Sequence, residues 1–480
     1  MSMQSRRDFL KTMAGAVSWL VLNRFAGAAD SQSGKQRPAI VVFVADDHGY
    51  FDSKVYGSIN VRTPHMQRLA DNGLTFTNAF VASPSCAPSR AAMLTGLMPA
   101  RNGAEANHTY PRPEIKQLPW YMKQLGYETA AFGKVAHGAA RPAHEAGFDH
   151  VNRGGSGVDS DAIDRYLKTR DPGKGLCLFI GCRWTHVQGP WPENEHFDPR
   201  VIALPPNMYD NWTTRQYRTR YLSAVEKLDR DMGQAYALVR RHFGDNAVFI
   251  YTSDHGSQWP FGKWNLYDVS TRTPLLVEWP GVIKPGQKTD AMVSWVDFLP
   301  TFIEIAGGKP PTDIDGQSFL GLLQGQNVRH REEIFTTHSG DGRMNVYPIR
   351  SIRTERYKYI LNLRPDCYYT THIDLGRNRD GLKFWYSWVK AAEDDPRAGW
   401  LVNRYHVRPE EELYDLLDDP YELTNLADVP EHREILKQLR QRLTEWMEAQ
   451  GDTKAVFEEP YPRSKPKPVS PLMSELLNEQ

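Results

Sequence analysis

Cysteine is scarce in this chain: four residues in 480, at positions 86, 177, 182 and 367. A disulfide framework is therefore not what holds it together. Cys177 and Cys182 lie five apart in one apparent strand, so they point to opposite faces and make poor partners. Both read as small buried hydrophobes. Net charge is also missing, with 58 Lys+Arg against 58 Asp+Glu. That excludes the basic footprint of a nucleic-acid binder and the charge blocks of disordered tails. No apolar run is long enough for a membrane span, and no internal repeat is present. The length predicts one large domain with a smaller companion.

The N-terminus departs from this neutrality. Ser5-Arg6-Arg7-Asp8-Phe9-Leu10-Lys11 is followed by an apolar stretch from Met13 to Leu22 and by Ala26-Gly27-Ala28. A paired arginine, a short apolar run and a small-residue cleavage site resemble a twin-arginine export signal over residues 1–28. The expectation is a bacterial protein exported to the periplasm or secreted by the twin-arginine machinery. Four cations and Asp8 give the segment +3, which leaves −3 for the remainder.

Ala39-Ile40-Val41-Val42-Phe43-Val44-Ala45 reads as a strand buried on both faces, as in a parallel sheet. Further buried runs are expected at Glu128–Phe132, Leu176–Gly181, Ala247–Tyr251 and Pro274–Trp279. Helices are expected at Thr63–Gly73, Leu118–Leu125 and Tyr217–Arg241, the last with a stripe of Tyr221, Val225, Leu228 and Met232. This alternation predicts an α/β sandwich with a mostly parallel sheet. After about Gly316 the pattern changes. Arg350–Asn362 alternates charged and apolar residues and reads as one half-exposed antiparallel strand. Leu413-Tyr414-Asp415 begins another, Asp418-Asp419-Pro420 is a turn, and Glu431–Gln450 is an amphipathic helix. The expected organisation is a catalytic domain over 37–334, an α+β subdomain over 335–455, and a loosely packed Pro- and Lys-rich tail over 456–480.

Acids and histidines sit where the buried strands end. Asp46-Asp47 follows the first strand and Asp254-His255 follows the Ala247 strand. Open α/β sheets place their sites at such strand ends. Each pair alone would serve as a loop cap. Together they offer three carboxylates and an imidazole, a set suited to Ca²⁺ or Mg²⁺, with histidine leaving the metal open. Cys86 lies in Ser83-Pro84-Ser85-Cys86-Ala87-Pro88-Ser89-Arg90 at an expected helix start, where backbone N–H groups meet an anion. Arg90 lies one turn further on. No Gly-x-Ser-x-Gly elbow accompanies it. Lys134, His137, His186 and Lys263 follow other strands, and each alone reads as a surface residue. Jointly they are equipment for holding a small oxyanion and protonating a leaving group.

These residues together resemble the type I sulfatases of the alkaline phosphatase superfamily, from Ala39 to about Ala427. The carriers are the Cys86 run continuing into Ala91-Ala92-Met93-Leu94-Thr95-Gly96, the two strand-end pairs, and Glu412-Leu413-Tyr414-Asp415 with Asp419-Pro420-Tyr421-Glu422. The resemblance implies an alkaline phosphatase-like α/β/α sandwich with a smaller C-terminal α+β domain bearing an antiparallel sheet. It implies that a formylglycine-generating or sulfatase-maturating enzyme oxidises Cys86 to formylglycine, whose hydrate attacks sulfur and then expels sulfate. Asp46, Asp47, Asp254 and His255, with an oxygen of residue 86, would bind a cation: Ca²⁺, with Mg²⁺ or Mn²⁺ as alternatives. The family often has Asn at the position of His255. Arg90 and Lys134 would hold the hydrate and the sulfate. His137 would take the hydroxyl proton, while His186 and Lys263 would contact the sulfate and assist the leaving group.

Asp46–Ser53, Trp259–Lys263 and Tyr347–Ser351 resemble the sulfamidase (heparan N-sulfatase) branch. Gly133-Lys134-Val135-Ala136-His137 and His255 resemble iduronate sulfatases. The implied substrate is a sulfated glycosaminoglycan sugar, N-sulfate ahead of O-sulfate, with His108, His338 and Arg350 as candidate sugar contacts. The competing readings are an O-sulfatase of the iduronate-2-sulfatase or arylsulfatase type, a phosphonate or phosphate monoester hydrolase of the same superfamily, and a non-catalytic binder of sulfated glycans.

Overall fold

The computed structural model describes residues 37–475 apart from 138–139, 188–190, 195, 377–381 and 472–473. The paired-arginine segment 1–28 lies outside the described residues. Residues Pro38–Gln480 form one compact unit.

Among the described residues nine strands build the main sheet: β1 Ala39–Ala45, β2 Leu74–Phe80, β3 Tyr127–Phe132, β4 His150–Asn152, β5 Gly175–Cys182, β6 Ala247–Ser253, β7 Arg272–Glu278, β8 Gln287–Thr289 and β9 Val293–Ser294. Their order is β4-β3-β5-β1-β6-β7-β2-β8, with β9 beside β2. Only β7 runs against its neighbours; every other pairing is parallel. The first strand sits at the centre because nothing in it needs water: all seven residues are buried. Each Val, Ile or Phe side chain among them contributes about 1.5–3 kcal/mol on burial. Its side chains alternate between two cores, as the two-residue period of a strand requires. Ile40, Val42 and Val44 join Met93, Leu118, Met122 and Phe302 on one face. Val41 and Phe43 join Met66, Leu69, Ile163, Leu228 and Met232 on the other. Helices therefore cover both faces, and the α/β/α sandwich follows. Cys177 and Cys182 fall into these two opposite cores, and both are free thiols.

The long helix Trp212–Phe243 starts five residues before its expected limit, because the Asn211 side chain caps it by accepting from Thr214 N. Tyr221, Val225, Leu228 and Met232 are all buried on it.

Four antiparallel strands, β10 Ile334–His338, β11 Ile349–Arg353, β12 Tyr357–Asn362 and β13 Glu411–Asp415, form a second sheet in that order. Helix Arg433–Ala449 packs on it through Leu436, Leu439, Leu443 and Met447. The expected single strand Arg350–Asn362 is instead a hairpin. Thr354 turns the chain, its backbone and hydroxyl both bonding Tyr357. Nor is it half-exposed: all five residues of β11 are buried. Arg350 and Arg353 escape solvation through ion pairs with Asp452 and Asp268. The tail is also better anchored than its composition suggests. Tyr461 O accepts from Tyr368 N, Arg463 N donates to Asp366 O, and Lys467 Nζ lies 3.0 Å from His406 Nε2.

An aromatic core joins the two sheets. Trp259, Phe261, Trp264 and Tyr267, from the loop after β6, pack with Tyr347, Tyr369, Trp385, Trp388 and Tyr405. Among the described residues no helix is long and apolar enough to cross a membrane.

Candidate active site

The parallel strands deliver their C-terminal ends to one edge, and the polar residues there converge. Asp46 and Asp47 leave β1, with Asp47 in a left-handed conformation (φ 67°). Such a bend costs energy that its surroundings must over-determine. Here Asp47 N donates to Asp254 Oδ1 at 3.1 Å, tying the end of β1 to that of β6. Gly133 (φ 73°) brings β3 against β5; a Cβ there would lie 2.1 Å from Gly181 O. This close approach carries Lys134 inward. Cys86 opens the helix Cys86–Thr95, every residue of which is buried.

Asp46, Asp47, Cys86, Asp254 and His255 are all buried and offer one donor atom each within 4.8 Å of one another. Lys134 Nζ lies 2.8 Å from both Asp46 carboxylate oxygens and 3.2 Å from Cys86 Sγ. Lys263 Nζ lies 3.0 and 3.1 Å from the Asp47 oxygens and 3.5 Å from His186 Nε2. His255 Nε2 is 3.3 Å from Sγ. Arg90 Nε donates to Asp254 Oδ2 at 3.0 Å, while its other nitrogens reach Asp46 Oδ1 and the carbonyls of Lys134 and Val135. Three carboxylates, three cations and an imidazole thus surround one thiol.

This crowding shifts their protonation. Burial alone would raise the Cys86 thiol, but Lys134, Lys263 and His255 hold it well below its ordinary value. Burial likewise opposes ionisation of Asp46, and Lys134 and His186 overcome it, lowering the carboxyl. Asp254 goes the other way: burial outweighs Arg90 and His255, and its carboxyl rises to about 7. His255 is raised to about 9, Asp254, Cys86 and Asp47 outweighing burial. Clustered shifts of this kind are typical of sites built for chemistry. The donor set also fits a hard divalent cation, which takes carboxylate oxygens from several segments.

His137 and His186 stand at the rim. Burial lowers the His137 imidazole, and the charge of the Cys86 side chain offsets only part of that. His137 Nε2 is 2.7 Å from His108 Nδ1. His108 Nε2 is 3.3 Å from Asp341 Oδ1. The Asp341 carboxylate also takes Asn107 Nδ2 at 2.8 Å, Trp264 Nε1 at 2.7 Å and His372 Nε2 at 3.4 Å. Sequence reasoning missed Asn107, Asp341 and His372. The one available signal was Ser339-Gly340-Asp341-Gly342, an acid between two glycines, both at positive φ.

His338 and Arg350, expected as sugar contacts, are both enclosed by the fold. His338 is fully buried, its Nε2 3.0 Å from Asn345 Oδ1. Arg350 is buried and clamped by both oxygens of Asp452. The Arg350 side chain is thus spent inside the fold, while His338 Nδ1 is buried without a hydrogen-bond partner; an alternating pattern could reveal neither burial.

Comparison with known proteins places the chain in a family. Residues 38–176 and 161–308 match the family model described as sulfatase. Residues 255–387 match that of the N-sulphoglucosamine sulphohydrolase C-terminal region. An ulvan-active sulfatase of Formosa agariphila is 34% identical over 88% of this chain and 82% of the relative. The N-sulphoglucosamine sulphohydrolase of Homo sapiens is 26% identical over 86% and 90%. A crystal structure of a putative sulfatase from Bacteroides thetaiotaomicron superposes with a TM-score of 0.67 at 20% identity, covering 90% of this chain and 99% of the other.

Proposed function

Because this chain belongs to the sulfatase family, and is thus a sulfuric ester or sulfamate hydrolase, we propose that it releases sulfate from sulfated sugars of the glycosaminoglycan type. The N-sulfate of a glucosamine unit is favoured over an O-sulfate. One observation carries the reading: Cys86 Sγ sits among three carboxylates and His255, with Lys134 Nζ 3.2 Å away. Oxidised to formylglycine by a maturating enzyme, residue 86 would supply the hydrate that attacks sulfur. Asp46, Asp47, Asp254 and His255 would hold a cation, Ca²⁺ in the first instance, which when bound would neutralise charge on the sulfuryl oxygens. Lys134 stabilises the nucleophile from one side. Lys263 and His186, 3.5 Å apart, face the sulfate and leaving group from the other. Arg90 fixes Asp46 and Asp254, and His137 accepts the hydroxyl proton from residue 86. The paired-arginine start supports export. That route carries folded proteins, so oxidation of the buried Cys86 would precede folding and export.

The match of residues 255–387 to the N-sulphoglucosamine sulphohydrolase model supports the N-sulfate preference. A second reading, O-sulfate on a sulfated polysaccharide, is supported by the 34% identity to an ulvan-active sulfatase. A desulfation screen separates them: N-sulfoglucosamine, 6-O- and 2-O-sulfated sugars, ulvan oligosaccharides and a phosphate monoester. Turnover of N-sulfoglucosamine alone supports the first reading. Turnover only of O-sulfated sugars overturns it in favour of the second. Peptide mass at residue 86 is read in parallel. Replacement of sulfur and two hydrogens by one oxygen is expected, and an intact thiol in active protein defeats the nucleophile assignment.

A further inference from the structure

We infer that Asp341 and His108 are positioning residues that set the orientation and tautomer of His137. The inference rests on the proposed role of His137 as acceptor of the proton from residue 86. His137 lies on a connection after β3, where a lone imidazole has no reason to hold one rotamer. The structure supplies the reason from the far end of the chain. Asp341 is 3% exposed and receives Asn107 Nδ2, Trp264 Nε1, His108 Nε2 and His372 Nε2.

Three of these contacts lead into the catalytic cluster. Asn107 Oδ1 in turn accepts Ala87 N at 3.1 Å, in the first turn of the Cys86 helix. Trp264 is the neighbour of Lys263. His108 leads to His137. One buried carboxylate thus registers the segments that carry the nucleophile, a cation and the proton acceptor. His108 holds a left-handed backbone (φ 65°) to make its contact, a strain its partners must maintain.

The chain of partners fixes the proton positions. A carboxylate only accepts, so His108 must donate from Nε2. A neutral His108 then presents a lone pair at Nδ1, and the 2.7 Å contact makes His137 Nε2 the donor to it. The lone pair of His137 is thereby left on Nδ1, which is buried and has no hydrogen-bond partner. The nitrogen bonded away from the reaction decides which nitrogen is basic. The proton on His137 Nε2 stays with His108 while Nδ1 takes the proton from residue 86.

The test uses full-length protein and whichever sulfated sugar the wild type turns over in the screen above. His108→Ala, His108→Asn, Asp341→Asn and His137→Ala are compared. Formylglycine content and thermal midpoint are measured for each, since the His108 side chain is 63% exposed and its loss should leave the fold intact. His108→Ala is expected to lower kcat by about 100-fold, as loss of an aligned acid–base group does, with KM unchanged. His108→Asn keeps an acceptor near the Nδ1 position and should recover part of that loss. A raised KM at unchanged kcat would make His108 a sugar contact and overturn the proposal. So would full activity in both His108→Ala and Asp341→Asn while His137→Ala is dead. If His137→Ala is itself fully active, the proton-acceptor role fails, and this inference with it, while the sulfatase assignment stands.

Discussion

Asp374→Asn should stabilise the protein at and above neutral pH and leave it unchanged in acid. Asp374 Oδ1 accepts Thr371 N at 2.6 Å and the Tyr405 hydroxyl at 3.1 Å. Its Oδ2 is buried without a partner. The turn it closes carries His372, which reaches Asp341 at the site rim. Burial pushes this carboxyl up to about 7, and the bonds from Thr371 and Tyr405, with Lys467 nearby, offset only part of that. The folded state therefore keeps a proton that the unfolded chain releases near 3.8. The stability this contributes is fully present below pH 3.8 and is lost as pH rises through about 7. A gap of about three pKa units corresponds to about 4 kcal/mol. Asparagine keeps the Oδ1 acceptor and is neutral throughout. Urea unfolding of both proteins from pH 4 to pH 9 reads the difference directly. It should be near zero at the acid end and grow to about 2–4 kcal/mol in favour of the variant at pH 8. A difference that does not vary with pH, or a variant less stable at pH 8, refutes the reasoning.

Lys358 is 1% exposed and holds Asp268 and Glu422 across the junction of the two sheets. Lys358→Met leaves both acids without that cation and should cost about 3–5 kcal/mol in a denaturant titration. Adding Glu422→Gln should return part of the loss, and an unchanged midpoint in the single variant would defeat the reading. Stripping divalent cations from the mature enzyme with a chelator should lower both sulfate release and the thermal midpoint. Calcium, magnesium and manganese are then added back and ranked by recovery. In Asp47→Asn the cation-dependent shift in midpoint should shrink or vanish, and a shift of wild-type size would exclude Asp47 as a ligand.

The legible part of this molecule is the part where neighbours in sequence remain neighbours in chemistry. The β1 run declares a strand buried on both faces, and the acids ending it must then sit at a sheet edge, whatever the rest of the chain does. Asp254-His255 follows by the same logic, and the Cys86 run is read from the continuous stretch 83–96 alone. The illegible part has a single physical cause. Pattern reading assigns a charged residue to water, and a charged residue leaves water when a distant partner meets it. Arg350 meets Asp452 at a separation of 102 residues, and Lys358 meets Asp268 at 90. A hairpin with three buried cations therefore reads from sequence as one half-exposed strand. Asp341 is hidden the same way: its partners lie at 107, 108, 264 and 372, none close enough in sequence to announce it. The buried long-range ion pairs and the rim network are thus one kind of feature. Where such a carboxylate ends in a packed cation it holds the fold together. Where it ends in His108, 2.7 Å from His137, the same architecture reaches the rim of the candidate site.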